Sequence, residues 1–179
     1  MQHLSALQPK VPPAKVNIWS YWPIAGIYIL SSIFALYTVQ FNAYPDYMSH
    51  LMGFVLILFG LIKLSDVVGF AKGFAMYDPL AKRSDTYAQL YPFLEIALGV
   101  LFILQLLIIP ATLITLFIYT ASLYGAIQSV RKKEAVHCVC LGTYFKLPLS
   151  TVTILEAGFM ILMCIWMLLM INTMAGMAM

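Results

Sequence analysis

A chain of 179 residues is long enough to bury a core, but here 63 % of the side chains are hydrophobic and only 9 % are charged, against about 25 % in a soluble domain. So few charges cannot solvate a globular surface, and with a mean hydropathy of +0.92 the chain reads as an integral membrane protein. The formal net charge of +3 calls for no nucleic-acid partner, because membrane topology accounts for where the basic residues fall.

In chain order, residues 1–20 are mostly polar, contain three prolines, and read as an N-terminal tail. Residues 21–179 form a single transmembrane helical domain. A bilayer core of about 30 Å is crossed by roughly 20 apolar residues of helix, and five stretches meet or approach that length: 21–41, 47–64, 90–109, 111–130 and 150–172. The first is a full-length span preceded by about 20 mostly polar residues, longer than the h-region of a cleaved signal peptide, so it is expected as a retained helix. The second is short before charge appears at Lys63, and 67–74 is expected to prolong it by an amphipathic turn or two. The third and fourth are separated by little more than Pro110, which cannot continue a hydrogen-bonded helix and so predicts a tight hairpin. The expected fold class is all-α, a polytopic membrane helix bundle of five spans.

Orientation follows from charge. All ten Lys and Arg residues fall within or at the edge of segments 1–20, 65–89 and 131–149, while the opposite side carries Asp46 and no Lys or Arg. The positive-inside rule then places the N-terminus and both long loops in the cytoplasm and the C-terminus outside, in a bacterial-type inner membrane.

The one place where sequence alone holds two sulfurs together is His137-Cys138-Val139-Cys140-Leu141-Gly142, directly after the basic run Arg131-Lys132-Lys133. Cysteines at a cytoplasmic face are kept reduced on average, which argues against a permanent disulfide. Three readings stay open: small residues packing a loop, a redox pair, or ligands for a soft metal. A Cys-x-Cys disulfide closes a small strained ring, which raises its reduction potential and makes the bond labile, and Lys133 and His137 favour the thiolate. Two thiolates with the His137 imidazole suit Cu(I), whereas zinc needs further ligands that no second cluster supplies. Cys164 differs: in the apolar run 159–170 it reads as core packing, and a resolving role is opposed by about 20 Å of helix to the loop end of its span.

Two acidic residues, Glu95 and Glu156, each lie about five or six residues into a span from its cytoplasmic end, and Lys63 enters from the same side. Charge in hydrocarbon costs a few kcal/mol and marks packed or watery sites. The structural expectation is that one glutamate pairs with Lys63; the functional one is a polar vestibule where a carboxylate moves a proton or ligates a cation. His50 reads as interfacial, and Trp19, Tyr21 and Trp22 as an aromatic belt. Gly69 with Gly73, and also Gly53, Gly60 and Gly99, are expected to let helices approach closely. Met160, Met163, Met167, Met170 and Met174 recur at helical spacing and read as packing rather than as a copper path.

Several motifs carry a resemblance. Gly60-Leu61-Ile62-Lys63-Leu64-Ser65-Asp66, Tyr77-Asp78 and Tyr91-Pro92-Phe93-Leu94-Glu95-Ile96-Ala97-Leu98-Gly99 resemble the DoxX-like membrane proteins. Cys138-Val139-Cys140-Leu141-Gly142, Phe145-Lys146-Leu147-Pro148 and Thr151-Val152-Thr153-Ile154-Leu155-Glu156 look closest to the MauE branch, named for methylamine utilisation. The likeness covers roughly 50–172, a DoxX-like four-helix core to which the first span and the tail are extra. It implies a redox-associated accessory protein that assists processing, export or disulfide formation of the methylamine dehydrogenase small subunit, beside a thioredoxin-like partner; related chains are also labelled heavy-metal-associated. By that likeness Cys138 and Cys140 form the redox pair, with Glu95, Glu156 and Lys63 as the polar positions serving it.

Two functional classes result. In a thiol relay of thiol-disulfide oxidoreductase type, Cys138 and Cys140 exchange electrons with an exported client or a membrane quinone. In a metal-handling protein, Cys138, Cys140 and His137 capture Cu(I) or Hg(II). A non-catalytic scaffold is the third. The expected partners are the lipid bilayer, a thioredoxin-like protein and an exported client, with a homo-oligomer left open.

Overall fold

A computed structural model describes residues 22–38, 44–131 and 149–177, with the turns at 44–46, 149–151 and 174–177 described by backbone alone. These residues form six helices: α1 (Trp22–Thr38), α2 (Tyr44–Leu64), α3 (Val67–Tyr77), α4 (Asp85–Ile103), α5 (Ile108–Arg131) and α6 (Leu149–Met177). Four contain stretches long and apolar enough to cross a membrane: Tyr47–Leu64, Asp85–Ile103, Ile108–Arg131 and Val152–Thr173. The helix of the first expected span, α1, has 17 residues. The polytopic helical bundle is therefore as the apolar runs predict. The N-terminal tail, Trp19, Tyr21, Cys138, Cys140 and His137 lie outside the described residues.

Residues 67–74 do not prolong α2. The Ser65 hydroxyl donates back to the Ile62 carbonyl at 2.6 Å, closing the helix end, and Asp66 starts a new helix by accepting the Gly69 amide at 2.9 Å. An N-capping carboxylate satisfies amides that have no intrahelical partner. The short α3 then buries Phe70, Ala71, Gly73, Phe74 and Tyr77 on one face. Gly69 serves this cap rather than helix approach, because an added Cβ would strike the Asp66 carboxylate.

The α4 helix begins five residues earlier than its apolar run, at the Ser84 N-cap, whose hydroxyl accepts the Tyr87 amide at 3.3 Å. Asp85 in the first turn suits the positive end of the helix dipole. The hairpin to α5 also turns earlier than Pro110 predicts. It is made by Gln105 and Leu107, at φ 53° and 51°, while Pro110 sits in the first turn of α5, where a missing N–H costs nothing.

The helices α2 and α4 run antiparallel in close contact, as do α5 and α6, and α1 lies against α2. Glycines permit the first crossing: a Cβ on Gly53 would stand 2.7 Å from the Gly99 carbonyl oxygen, and one on Gly99 would stand 2.7 Å from that of Gly53. Gly60 makes a second notch against Ile96 and the Pro92 carbonyl. In α6, Met160, Met163, Met167 and Cys164 are buried packing residues. Gly125 of α5 lies under the Tyr77 carbonyl and Pro79.

Candidate functional site

The register of α2 against α4 decides which polar groups meet. With Gly53 opposite Gly99 and Gly60 opposite Pro92, Lys63 stands about six residues, roughly 9 Å, beyond the position facing Glu95. Side chains lean toward the N-terminus of their own helix. Because the helices are antiparallel, Lys63 and Glu95 lean toward each other and close that gap.

The result is a tetrad drawn from four helices. The Lys63 ammonium donates to Glu95 Oε1 at 2.6 Å and to Glu156 Oε1 at 2.8 Å. The Tyr119 hydroxyl donates to the same two oxygens, at 2.8 and 2.9 Å. Desolvation is nearly complete, with side-chain exposures of 13 % for Lys63, 1 % for Glu95 and 2 % for Glu156. Sequence reasoning expects one of the glutamates to pair with Lys63; both do. Glu95 also lies deeper than its apolar run suggests, about ten residues into α4 once the helix is seen to begin at Asp85.

Aromatic rings complete the lysine's surroundings. Its ammonium lies 5.2 Å from the ring centre of Tyr91 and 5.7 Å from those of Phe59 and Phe70. Ring faces attract a cation, by about 2 kcal/mol or more when desolvated, and they exclude the water that would weaken the ion pairs.

Charge does not balance within the tetrad. Two carboxylates face one ammonium, and Tyr119 contributes a neutral hydroxyl. Glu95 Oε2 is buried and has no hydrogen-bond partner among the described residues. A buried carboxylate oxygen left unsatisfied in a low-dielectric interior carries a desolvation cost. Groups of three or more His, Cys, Asp or Glu side chains able to hold a metal ion are not found among the described residues.

A third buried carboxylate, outside the tetrad, lies toward the basic end of the bundle. Asp78, at the end of α3, accepts the amides of Leu80 and Ala81 at 2.9 Å each through Oδ1, and the Ser122 hydroxyl at 2.8 Å through Oδ2. Nearby, the hydroxyls of Tyr77 and Thr153 are 2.8 Å apart, tying α3 to α6.

Cys164 is a free, buried thiol. Tyr119, Tyr91, Asp78 and Ser122 are absent from the sequence-based candidates. A tyrosine in an apolar span carries no signal of its own. Counting back from a hairpin centred at 104–107, however, brings Tyr119 within a turn of the level of Glu95.

The family model described as methylamine utilisation protein MauE matches residues 42–170. The match takes in α2 to α5 and most of α6, hence all four tetrad residues, and leaves α1 outside. Searches of curated proteins and of solved structures find no match.

Proposed function

The chain belongs to the MauE family, and from that premise we propose that it is a multi-pass accessory protein of methylamine utilisation, assisting the maturation or export of a partner by thiol redox chemistry. On this reading Cys138 and Cys140 are the reacting pair at the cytoplasmic face of a bacterial inner membrane. A thioredoxin-like reductant supplies two electrons and two protons to the pair. The pair returns to a disulfide by passing both to an exported client, such as the methylamine dehydrogenase small subunit, or to a quinone in the bilayer. Each cycle therefore moves protons as well as electrons, and the tetrad is the place inside the bundle where one is held.

The observation that carries this reading is the pair of buried carboxylates bridged by one ammonium and one phenol, with one negative charge unmatched. A purely structural ion pair needs one carboxylate for one lysine. The second carboxylate and the partnerless Glu95 Oε2 favour a centre that takes up and releases a proton.

The test is alkylation of Cys138 and Cys140 in intact cells, before and after reductant, in the wild type and in Glu95→Gln and Glu156→Gln. Label that appears only after reduction, with a cycle slowed in both glutamine variants, supports the relay. Label blocked by Cu(I) or Hg(II) but indifferent to reductant moves the assignment to soft-metal capture by Cys138, Cys140 and His137. Full restoration of growth on methylamine by the Cys138→Ser/Cys140→Ser variant in a deletion strain leaves only a scaffold.

A further inference from the structure

The tetrad draws on four helices, and the short helix α3 with the residue that ends it touches three of them one turn nearer the basic end. On α4, Tyr91 stands four residues before Glu95 and packs against Phe70 and Phe74, with ring centres at 5.9 and 4.5 Å. On α5, Ser122 stands three residues after Tyr119 and donates to Asp78 Oδ2 at 2.8 Å. On α6, Thr153 stands three residues before Glu156, and its hydroxyl lies 2.8 Å from that of Tyr77. Spacings of three and four put each contact on the same helix face as the tetrad member beside it. Since α4 and α6 leave the basic end and α5 returns to it, the three contacts share one layer. The bar they form runs past the lysine as well, with the Phe70 ring centre 5.7 Å from the Lys63 ammonium.

We propose that α3 is a clamp on the tetrad, with Tyr77 and Asp78 as its positioning residues. Through Thr153 and Ser122 they set the level of α6 and α5 against the α2–α4 pair, and so hold Glu156 and Tyr119 on Lys63 and Glu95. This deepens the reading of the tetrad as the working centre of the bundle and rests on it.

The clamp is stiff and closely seated. Asp66 closes its start by accepting the Gly69 amide, and at its end the Asp78 amide donates to the Phe74 carbonyl at 3.0 Å. Turning the following loop occupies only Asp78 Oδ1, which accepts the amides of Leu80 and Ala81, so Oδ2 is left to face α5. The Tyr77 carbonyl fits over Gly125, where any Cβ would push α3 away from α5. Tyr77, Asp78 and Ser122 are all buried, and at buried sites a hydrogen bond left unmade is costly. The tetrad needs such control, because its bonds of 2.6 to 2.9 Å leave the favourable range after a drift of about half an ångström.

The experiment is carbon-13 NMR of the full chain in lipid bilayers, with glutamate labelled at the side-chain carboxyl, which tags Glu95, Glu134 and Glu156 alone. Glu95→Gln and Glu156→Gln assign the two tetrad signals. Tyr77→Phe keeps the ring and Thr153→Val keeps the shape, each without its hydroxyl, and both are expected to shift the Glu156 signal. Ser122→Ala is expected to shift both glutamate signals, because Tyr119 donates to both carboxylates. Thr153→Ser retains the hydroxyl and should keep the wild-type spectrum. A hydroxyl that merely packs α3 would lower the unfolding midpoint and move neither signal. That outcome in Tyr77→Phe and Thr153→Val overturns the clamp and leaves the tetrad and the thiol chemistry standing. Wild-type glutamate signals that do not respond to Tyr119→Phe would remove the tetrad itself, and the clamp with it. Should Tyr77→Phe fail to fold, Thr153→Val against Thr153→Ser decides the matter.

Discussion

Replacing Lys63 with methionine keeps a long flexible side chain and removes its charge, which isolates what the ammonium contributes. The wild-type ammonium makes two short, charge-assisted hydrogen bonds, each worth about 1.5–3 kcal/mol, under three aromatic rings. Removing one partner of a buried pair costs about 3–5 kcal/mol, because the other charge is stranded. Here two carboxylates are stranded together, so Lys63→Met should fall at the upper end, about 5 kcal/mol. Glu95→Gln is different in kind. It leaves Lys63 with Glu156, one charge against one, and should cost only about 1–2 kcal/mol. The triple variant Lys63→Met/Glu95→Gln/Glu156→Gln has no buried charge and should regain most of the loss. The assay is reversible unfolding in mixed micelles, reading helicity against denaturing detergent for all three. If Lys63→Met proves no more damaging than Glu95→Gln, the lysine is not the counter-ion of both carboxylates and the charge argument fails.

Tyr119→Phe removes both phenol hydrogen bonds but keeps the ring; it should cost about 2–3 kcal/mol in the same unfolding assay, whereas a tyrosine that only packs would tolerate the change. Gly99→Ala places a Cβ 2.7 Å from the Gly53 carbonyl and should destabilise by about 1–3 kcal/mol. Gly158→Ala, whose Cβ meets nothing within 4 Å, should be neutral or stabilising by up to about 1 kcal/mol. Cys164→Ala should cost about 1 kcal/mol through lost packing and, on the proposed relay, leave the alkylation pattern of Cys138 and Cys140 unchanged; an altered pattern would make Cys164 a resolving thiol.

The long helices are legible in the sequence because a bilayer demands apolar length, and run length survives without knowledge of any contact. Boundaries are less so, since they depend on local chemistry that hydropathy averages away. Asp66 with Gly69, and Ser84 with Asp85, start helices before or apart from the apolar runs. The hairpin turns on two residues with positive φ that carry no glycine signature, while Pro110, the visible breaker, is harmless where it sits. Lys63, Glu95 and Glu156 announce themselves because charge is conspicuous in a span. Tyr119 and Ser122 do not, since a hydroxyl is unremarkable there until the register of two hairpins brings it level with a carboxylate. That register is a property of tertiary packing, set by Gly53, Gly60 and Gly99.

The two notches between α2 and α4 have a mechanical consequence. Each glycine receives backbone or side-chain bulk from the facing helix, and the notches stand two turns apart, so they act as a pair of detents. Sliding either helix along the other would drive a carbonyl or Ile96 into the neighbouring turn, and a step of one full turn would place neither notch over its tooth. The α2–α4 pair is thus a rigid rail, and Lys63 and Glu95 are fixed points on it. Whatever movement accompanies a cycle has to come from the other members, with α6 carrying Glu156 and α5 carrying Tyr119 against that stationary edge.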